Sequence, residues 1–326
     1  MNQEDILSQI RKIEEEIRTT PYHKGTEHHI GLLRARLAHL RDLFFQPKRT
    51  TGGGLGFMIK KSGDASCLLI GPPSVGKSSL LNKLTSAQSR VGDYDFTTLG
   101  VVPGMMFYKG AMIQIFDAPG IIKGGYSGRG GGRQILSLAR ASDLILIIVD
   151  VEKTDQIKEI LEQLDRVGIR INQLPPKIRI EKTDRGGITI VDNFCSFNQE
   201  IVKKIATEFG LKNAKIIITE KLKNIDQLID ALSGNRAYLP ALFLVNKIDK
   251  ISELQREKLF LRLKDKYSPL FFISVQREIG LRELKEGMWS GLKLIRVFLK
   301  KEKNQPPNFK EPLILKKGSR VTDAVQ

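Results

Sequence analysis

The stretch Gly71-Pro72-Pro73-Ser74-Val75-Gly76-Lys77-Ser78, continued by Ser79, has the glycine, lysine and hydroxyl spacing of a phosphate-binding loop. The glycines let successive backbone N–H groups curl around phosphate oxygens, and a helix starting there adds its positive end. Lys77 would reach the outer phosphates, and the Ser78 hydroxyl would coordinate magnesium. An apolar run, Cys67 to Ile70, precedes the loop and a helical pattern follows it, which is the context the motif needs. Such a loop holds phosphates and does not choose between ATP and GTP.

Three further motifs, Asp117–Gly120, Asn246–Asp249 and Ser274–Gln276, follow in order, with a switch segment ahead of the first. Asp117-Ala118-Pro119-Gly120 closes the apolar run Met112–Phe116. An Asp at a strand end can hold the magnesium shell, and the glycine N–H can donate to a γ-phosphate. Asp-x-Pro-Gly is also a good surface turn, so its place one strand after the loop carries the argument. Between the two lies Phe96-Thr97-Thr98-Leu99, where a first switch belongs. Thr98 is the threonine expected to complete the magnesium shell.

Asn246-Lys247-Ile248-Asp249 closes the run Leu242–Val245 and selects the base. The Asp249 carboxylate can accept from both the ring N–H and the exocyclic amine of guanine, a donor pair that adenine lacks. A site built on paired hydrogen bonds is left unpaired by the wrong ligand, so its discrimination is large. Ser274, Val275 and Gln276 supply the expected final base-contacting loop. All four elements in this order point to GTP or GDP as ligand, with Lys77, Thr98 and Gly120 as the catalytic candidates.

These residues need a frame. Strands alternating with helical patterns, at Cys67–Ile70, Met112–Phe116, Leu144–Val149 and Leu242–Val245, predict an α/β fold with a mostly parallel sheet flanked by helices. Ahead of it, Ile6, Ile10, Ile13 and Ile17 form one helical stripe, and Leu33, Leu37, Leu40 and Phe44 a second. With Pro21 and Gly25 between them they predict an N-terminal helical hairpin, leading through a glycine-rich joint at 51–56. The expected domains are 1–61 for hairpin and joint, 62–292 for the nucleotide domain, and 293–326 for a C-terminal unit. Residues 165–238 break the strand–helix rhythm and predict a small inserted α+β subdomain. Within it, Ile178–Glu181 and Ile188–Val191 are expected to pair as a hairpin around Asp184-Arg185-Gly186-Gly187.

The 326 residues carry 53 Lys and Arg against 36 Asp and Glu, a formal charge of +17. Such an excess implies a polyanionic partner, RNA or an acidic membrane surface. Between Lys293 and Arg320 there are nine basic residues and two acids, so the charge is concentrated. Two cysteines without paired spacing, Cys67 and Cys195, imply no disulfide framework and no zinc site. His28 and His29 beside Glu27 read as a solvated helix surface, and Trp289 as core. The charged, amphipathic start is unlike a signal peptide. No apolar run reaches the length of a transmembrane segment, and a reducing cytoplasmic location is expected.

GPPSVGKSS, DFTTLG, DAPGIIKGGYSGRGGGRQIL, FLVNKID and ISVQREIGLRELKEGMW together resemble the developmentally regulated GTP-binding protein family, relatives of the Obg GTPases. EHHIGLLRARLAHLRDLF resembles that family's N-terminal helical region, and GIRINQLPPKIRI matches the place of its extra subdomain. The resemblance covers nearly the whole chain. It implies a cytoplasmic GTPase engaging ribosomes or other RNA in translation, often with a dedicated partner protein. It also implies a β-grasp TGS unit, whose opening strands Leu294–Phe298 and Glu311–Gly318 resemble. The sequence stops at Gln326 where the family pattern continues, so the expectation is a partial β-grasp C-terminus.

Small GTPases place a water-orienting glutamine directly after the Asp-x-x-Gly glycine; here that position is Ile121, which cannot bond water. Ile121 there predicts slow intrinsic hydrolysis, accelerated by a partner, RNA or a monovalent cation. Arg129 or Arg133, in the glycine-rich stretch after Gly120, is a candidate charge-stabilising finger, against the plainer reading of solvated arginines in a flexible loop. Related GTPases use potassium instead, held in part by a phosphate-loop asparagine. Ser74 stands at that position, which leaves potassium optional beside magnesium. Two other readings stay open: an RNA adaptor that holds GTP with little hydrolysis, and a GTPase of the membrane surface.

Overall fold

The computed structural model describes residues 3–23, 25–45, 62–85, 102–117, 131–194, 197–300, 307–309, 311–320 and 322, and the side chains of all of these except 102 and 131–134. Helices α1 (Gln3–Thr19) and α2 (Glu27–Phe45) come first, then strand β1 (Ala65–Ile70) and helix α3 (Lys77–Leu84). Strands β2 (Val102–Tyr108) and β3 (Ala111–Asp117), helix α4 (Gly131–Ala141), strand β4 (Leu144–Asp150) and helix α5 (Gln156–Arg166) follow. Next are β5 (Ile169–Ile171), β6 (Ile178–Lys182), β7 (Ile188–Asp192), α6 (Gln199–Glu208), β8 (Ala214–Ile218), α7 (Ile225–Ser233) and β9 (Ala237–Leu239). The last are β10 (Ala241–Asn246), α8 (Glu253–Lys264), β11 (Leu270–Phe272), α9 (Leu281–Gly291), β12 (Leu294–Val297) and β13 (Leu313–Lys316).

The chain divides into two units, one formed by Met1–Gly53 with Arg166–Tyr238 and the other by Gly54–Asp165 with Leu239–Gln326. The second unit is built on a six-stranded sheet in the order β11-β10-β4-β1-β3-β2. Its strands are parallel apart from β2, which runs antiparallel to β3. Every residue of β1, β4 and β10 is buried, as expected for parallel strands covered on both faces. Leu80, Leu81 and Leu84 of α3 pack with Leu284 and Met288 of α9 into one core with Cys67, Leu69, Leu146 and Leu244. Trp289 packs half-buried against that core. The Cys67 thiol is fully enclosed, and burial pushes its pKa up and out of the reactive range. Strands β12 and β13 pair as an antiparallel ribbon, Leu294 opposite Lys316.

The first unit has two apolar clusters that share α2. On one side of that helix, Leu33, Leu37, Leu40 and Phe44 meet Ile6, Ile10 and Ile13 of α1, the hairpin the two stripes predict. On the other, Ala35 with Leu32 and Ala38 packs among Ile201, Val202 and Ile205 of α6 and Leu228 and Ile229 of α7. Helix α2 therefore buries two faces, and hairpin and insertion share one unit. Asn198 and Asn224 cap α6 and α7 by accepting from the backbone N–H groups of Glu200 and Gln227.

The expected β6–β7 hairpin is not formed. Strand β8 lies between the two, antiparallel to β6 and parallel to β7, giving the order β6-β8-β7. The reason lies in burial: Ile216 and Ile218 of β8 are enclosed by the helices, whereas β6 and β7 are only half-buried. The most apolar strand takes the centre, and the link across Gly186 and Gly187, both at positive φ, spans it. Among the described residues no helix is long and apolar enough to cross a membrane.

Candidate functional site

In an open parallel sheet the loops at the carboxyl ends of the strands form the ligand crevice. Here those ends carry Gly71 after β1, Asp117 on β3, Asp150 on β4, Asn246 on β10 and Ser274 after β11. Thus Gly71–Ser79, Asp117, Asn246–Asp249 and Ser274–Gln276 all stand on one rim of the second unit. Thr98 and Gly120, and with them Ile121 and Arg129, lie outside the described residues.

The phosphate loop turns through two left-handed residues. Ser74, at φ 63°, is strained there and is held by surrounding contacts, whereas Gly76, at φ 96°, adopts that region freely. A Cβ at Gly76 would stand 2.6 Å from Asn246 Nδ2, so glycine is required there twice over. Pro73, Ser74, Ser78 and Ser79 are exposed and Val75 is buried. The Lys77 ammonium is buried and donates to the carbonyls of Gly71 and Pro72, each at 2.9 Å. Burial depresses its pKa, and the Asp117 charge pulls the other way. Its present partners are loop carbonyls, which phosphate oxygens can replace with a better charge match.

The Ser78 hydroxyl donates to Asp117 Oδ2 at 2.9 Å. The other carboxylate oxygen, Oδ1, is buried and has no hydrogen-bond partner among the described residues. Burial raises the Asp117 pKa, while the Ser78 hydrogen bond and the Lys77 charge oppose the rise. A hydroxyl beside a buried, unsatisfied carboxylate oxygen is a hard oxygen donor set and fits Mg2+. No cluster of three or more His, Cys, Asp or Glu suited to a metal occurs among the described residues. A cation here must therefore take its remaining ligands from nucleotide oxygens and water, which Mg2+ does and structural Zn2+ does not.

The Asn246–Asp249 and Ser274–Gln276 segments, expected to read the base, are fastened directly to the expected phosphate loop. Asn246 Nδ2 donates to the Val75 carbonyl at 2.8 Å, and Asn246 Oδ1 accepts from the Val275 N–H at 3.1 Å. One buried amide thus ties three loops. Lys247, left-handed at φ 66°, donates to the Ser74 carbonyl at 2.8 Å. Its ammonium also pairs with Asp150 Oδ2 at 2.7 Å. Asp150 is a residue the motifs do not include. It ends the apolar run of β4 directly beside Asn246 in the register, and an acid closing such a run is the signal that would have found it. Although burial pushes its pKa up, hydrogen bonds from Lys247 and the Glu152 N–H hold it below the ordinary carboxylate value. Lys247 is fixed in place between the Ser74 carbonyl and the Asp150 carboxylate.

Asp249 is exposed and accepts a short hydrogen bond from the Ser274 hydroxyl. That bond, ahead of smaller backbone and charge contributions, holds its carboxyl below the usual range. Ser274 itself is buried, bridged to Ile279 and accepting from the Arg277 N–H at 3.2 Å. Val275 is buried and Gln276 exposed. One expected result follows. An ionised Asp249 accepts from two guanine donors and a protonated one does not, so guanine-nucleotide affinity should fall as pH drops through its folded pKa. Ser274→Ala removes the largest lowering influence and should move that acid limb to higher pH. Fluorescent GDP titrations from about pH 6.5 down to about pH 2.5 read it, covering the ordinary Asp value of about 3.9 and the range below it where the wild-type limb lies. An unmoved limb would contradict the role given to Ser274.

Comparison with known proteins bears on what this rim does. Residues 66–182 match the family model described as 50S ribosome-binding GTPase, and residues 185–294 the C-terminal region of MMR_HSR1 domain. An uncharacterised GTP-binding protein of Methanocaldococcus jannaschii is 43% identical over 323 residues, 98% of this chain and 82% of that protein. The developmentally-regulated GTP-binding protein 1 homolog of Dictyostelium discoideum is 40% identical over 325 residues, 97% of this chain and 86% of its own length. Among solved structures, the G domain of the T. maritima FeoB iron transporter matches at 21% identity with a TM-score of 0.39. That match covers 69% of this chain and 97% of that one.

Proposed function

The chain belongs to the developmentally regulated GTP-binding protein family, and from that premise we propose a GTP-hydrolysing molecular switch that acts in the cytoplasm on ribosomes or other RNA. It is a GTP-binding protein of the P-loop GTPase class; hydrolysis, partner and location are the proposal. The observation that carries the reading is the direct fastening of phosphate loop to base-reading strand end, through Asn246 to Val75 and Lys247 to Ser74. A nucleotide spanning that join has its base on Asp249 and its phosphates on Lys77.

In this mechanism Lys77 leaves the Gly71 and Pro72 carbonyls for the outer phosphate oxygens and neutralises charge there. Ser78, Asp117 and Thr98 are the residues that would hold magnesium. When bound, magnesium would offset the negative charge of the phosphates. Thr98 and the Gly120 N–H act on the γ-phosphate, so the segments carrying them sense whether it is present. Asp249, held ionised by Ser274, selects guanine, and Lys247 is braced by Asp150 against that edge of the site.

The net charge of +17 supports a polyanionic partner, and a match to a ribosome-binding GTPase family supports the ribosome. Because Ile121 cannot orient water, intrinsic turnover is slow and is completed by the ribosome, by a dedicated partner protein or by potassium. The test is GTP hydrolysis with and without ribosomes, in potassium and in sodium at matched ionic strength. Stimulation by ribosomes is the expected outcome. Ile121 also favours a second reading, an RNA adaptor that holds GTP, and negligible turnover in every buffer with GTP still bound would replace the switch by it.

A further inference from the structure

The first unit carries a cleft of about 570 Å3 walled by four arginines: Arg11 and Arg18 of α1, Arg41 of α2, and Arg166 where the chain re-enters the unit. Ile17 and Leu37 also line it. Its two carboxylates are already engaged: Glu15 pairs with Arg18 and Glu14 with Arg41, each at 2.7 Å. Arg11 and Arg166 are exposed, and no ion pair engages either among the described residues. The chain has more lysines than arginines, yet every basic residue of this cleft is arginine. That choice has a physical meaning. A guanidinium fork meets two phosphate oxygens at once, and an ammonium is a point charge.

We propose that this cleft is an RNA-backbone site, in which Arg11 and Arg166 take phosphodiester oxygens while Arg18 and Arg41 complete the wall. Two exposed guanidinium groups lining an open cleft, with no ion pair among the described residues, offer forked donors to an anion. The large positive charge of the whole chain makes a polyanion the fitting one. Single phosphates and acidic peptides share part of this chemistry, and the experiment separates them. The site shares no residue with the nucleotide rim and rests on the reading above only for RNA as the class of partner.

The test uses the full chain and a fluorescein-labelled 20-nucleotide oligouridylate, titrated at several salt concentrations. Arg11→Gln with Arg166→Gln removes two exposed, unpaired side chains and leaves the core untouched. For single strands each lost phosphate contact lowers the salt slope by about 0.7, so the pair should weaken binding roughly twenty-fold near 0.1 M salt. Glu15→Gln frees Arg18 and should tighten binding. Lys221→Gln with Lys258→Gln removes the same charge from exposed positions outside the cleft and should leave the slope nearly unchanged. Fluorescent GDP affinity, measured on the same samples, should be unaltered in every variant, which separates failure here from failure of the nucleotide reading. An arginine pair no weaker than the lysine pair would overturn the proposal. So would absence of RNA binding, or equal competition by inorganic phosphate or polyglutamate at matched charge.

Discussion

Asp249→Asn should lower GDP affinity by between roughly a hundredfold and ten-thousandfold while raising affinity for xanthosine diphosphate. The loss comes from two hydrogen bonds to a charged acceptor, about 1.5–3 kcal/mol each. The direction of the gain comes from Ser274. Its hydroxyl donates to Asp249 Oδ1, so an asparagine at this position would keep its carbonyl oxygen on Ser274 and turn its amide toward the base. Guanine then presents donors to a donor, an arrangement worse than an empty site. Xanthine carries a carbonyl where guanine has its amine and can accept from that amide. Competition of GDP, xanthosine diphosphate and ADP against a fluorescent nucleotide reads all three affinities. If the variant still prefers GDP to xanthosine diphosphate, Asp249 is not the residue that reads the base.

The expected phosphate loop and its partners are local strings whose residue types have few other uses, and the strand ends set the described ones on one rim. What the strings do not carry is how they are tied together. Asn246 reaches Val75 and Val275 across 171 and 29 positions, and no spacing rule anticipates such a contact. Asp150 stands one residue beyond the apolar run Leu144–Val149, and hydropathy marks such a run only up to its last apolar residue. The β6–β7 hairpin was misread for a related reason. Two short β-prone runs flanking Asp-Arg-Gly-Gly are a strong local signal, but Ala-Lys-Ile-Ile-Ile, more than twenty residues later, competes for the same edges and buries better. Tertiary burial overrode local turn chemistry, as β-pairing commonly allows. The sharing of α2 between two cores was likewise hidden, since each single stripe on it looks like an ordinary amphipathic face.

The second large effect concerns how the first unit holds together. Asp230 of α7 is buried and accepts from Arg170 Nε and Nη2, both at 2.6 Å, and from Arg236 Nε at 2.9 Å. Arg236 reaches on to Asp42 of α2 at 2.6 Å, and the Ser233 hydroxyl donates to the same Asp42. Burial, followed by the Asp230 charge, pushes the neighbouring Tyr238 hydroxyl up to about 12. Exchanging the Arg18–Glu15 surface pair for neutral residues should leave stability nearly unchanged, because both side chains are exposed and solvent screens them. Asp230→Ala is different, because it takes a two-point carboxylate partner from the buried Arg170 guanidinium and one of the three side chains that Arg236 donates to. Removing one partner of a buried pair costs about 3–5 kcal/mol, and that is the expected loss. Because the network joins α2, β5 and α7, the loss should appear as reduced hydrogen-exchange protection along all three. The amides of β1, β4 and β10 in the other unit should keep theirs. Arg170→Met combined with Asp230→Leu swaps the pair for apolar groups of similar size and leaves Arg236 its Asp42 partner. It should therefore be less destabilised than Asp230→Ala alone. A loss below about 1 kcal/mol for Asp230→Ala would place this network with the surface pairs and leave apolar packing alone to join hairpin and insertion.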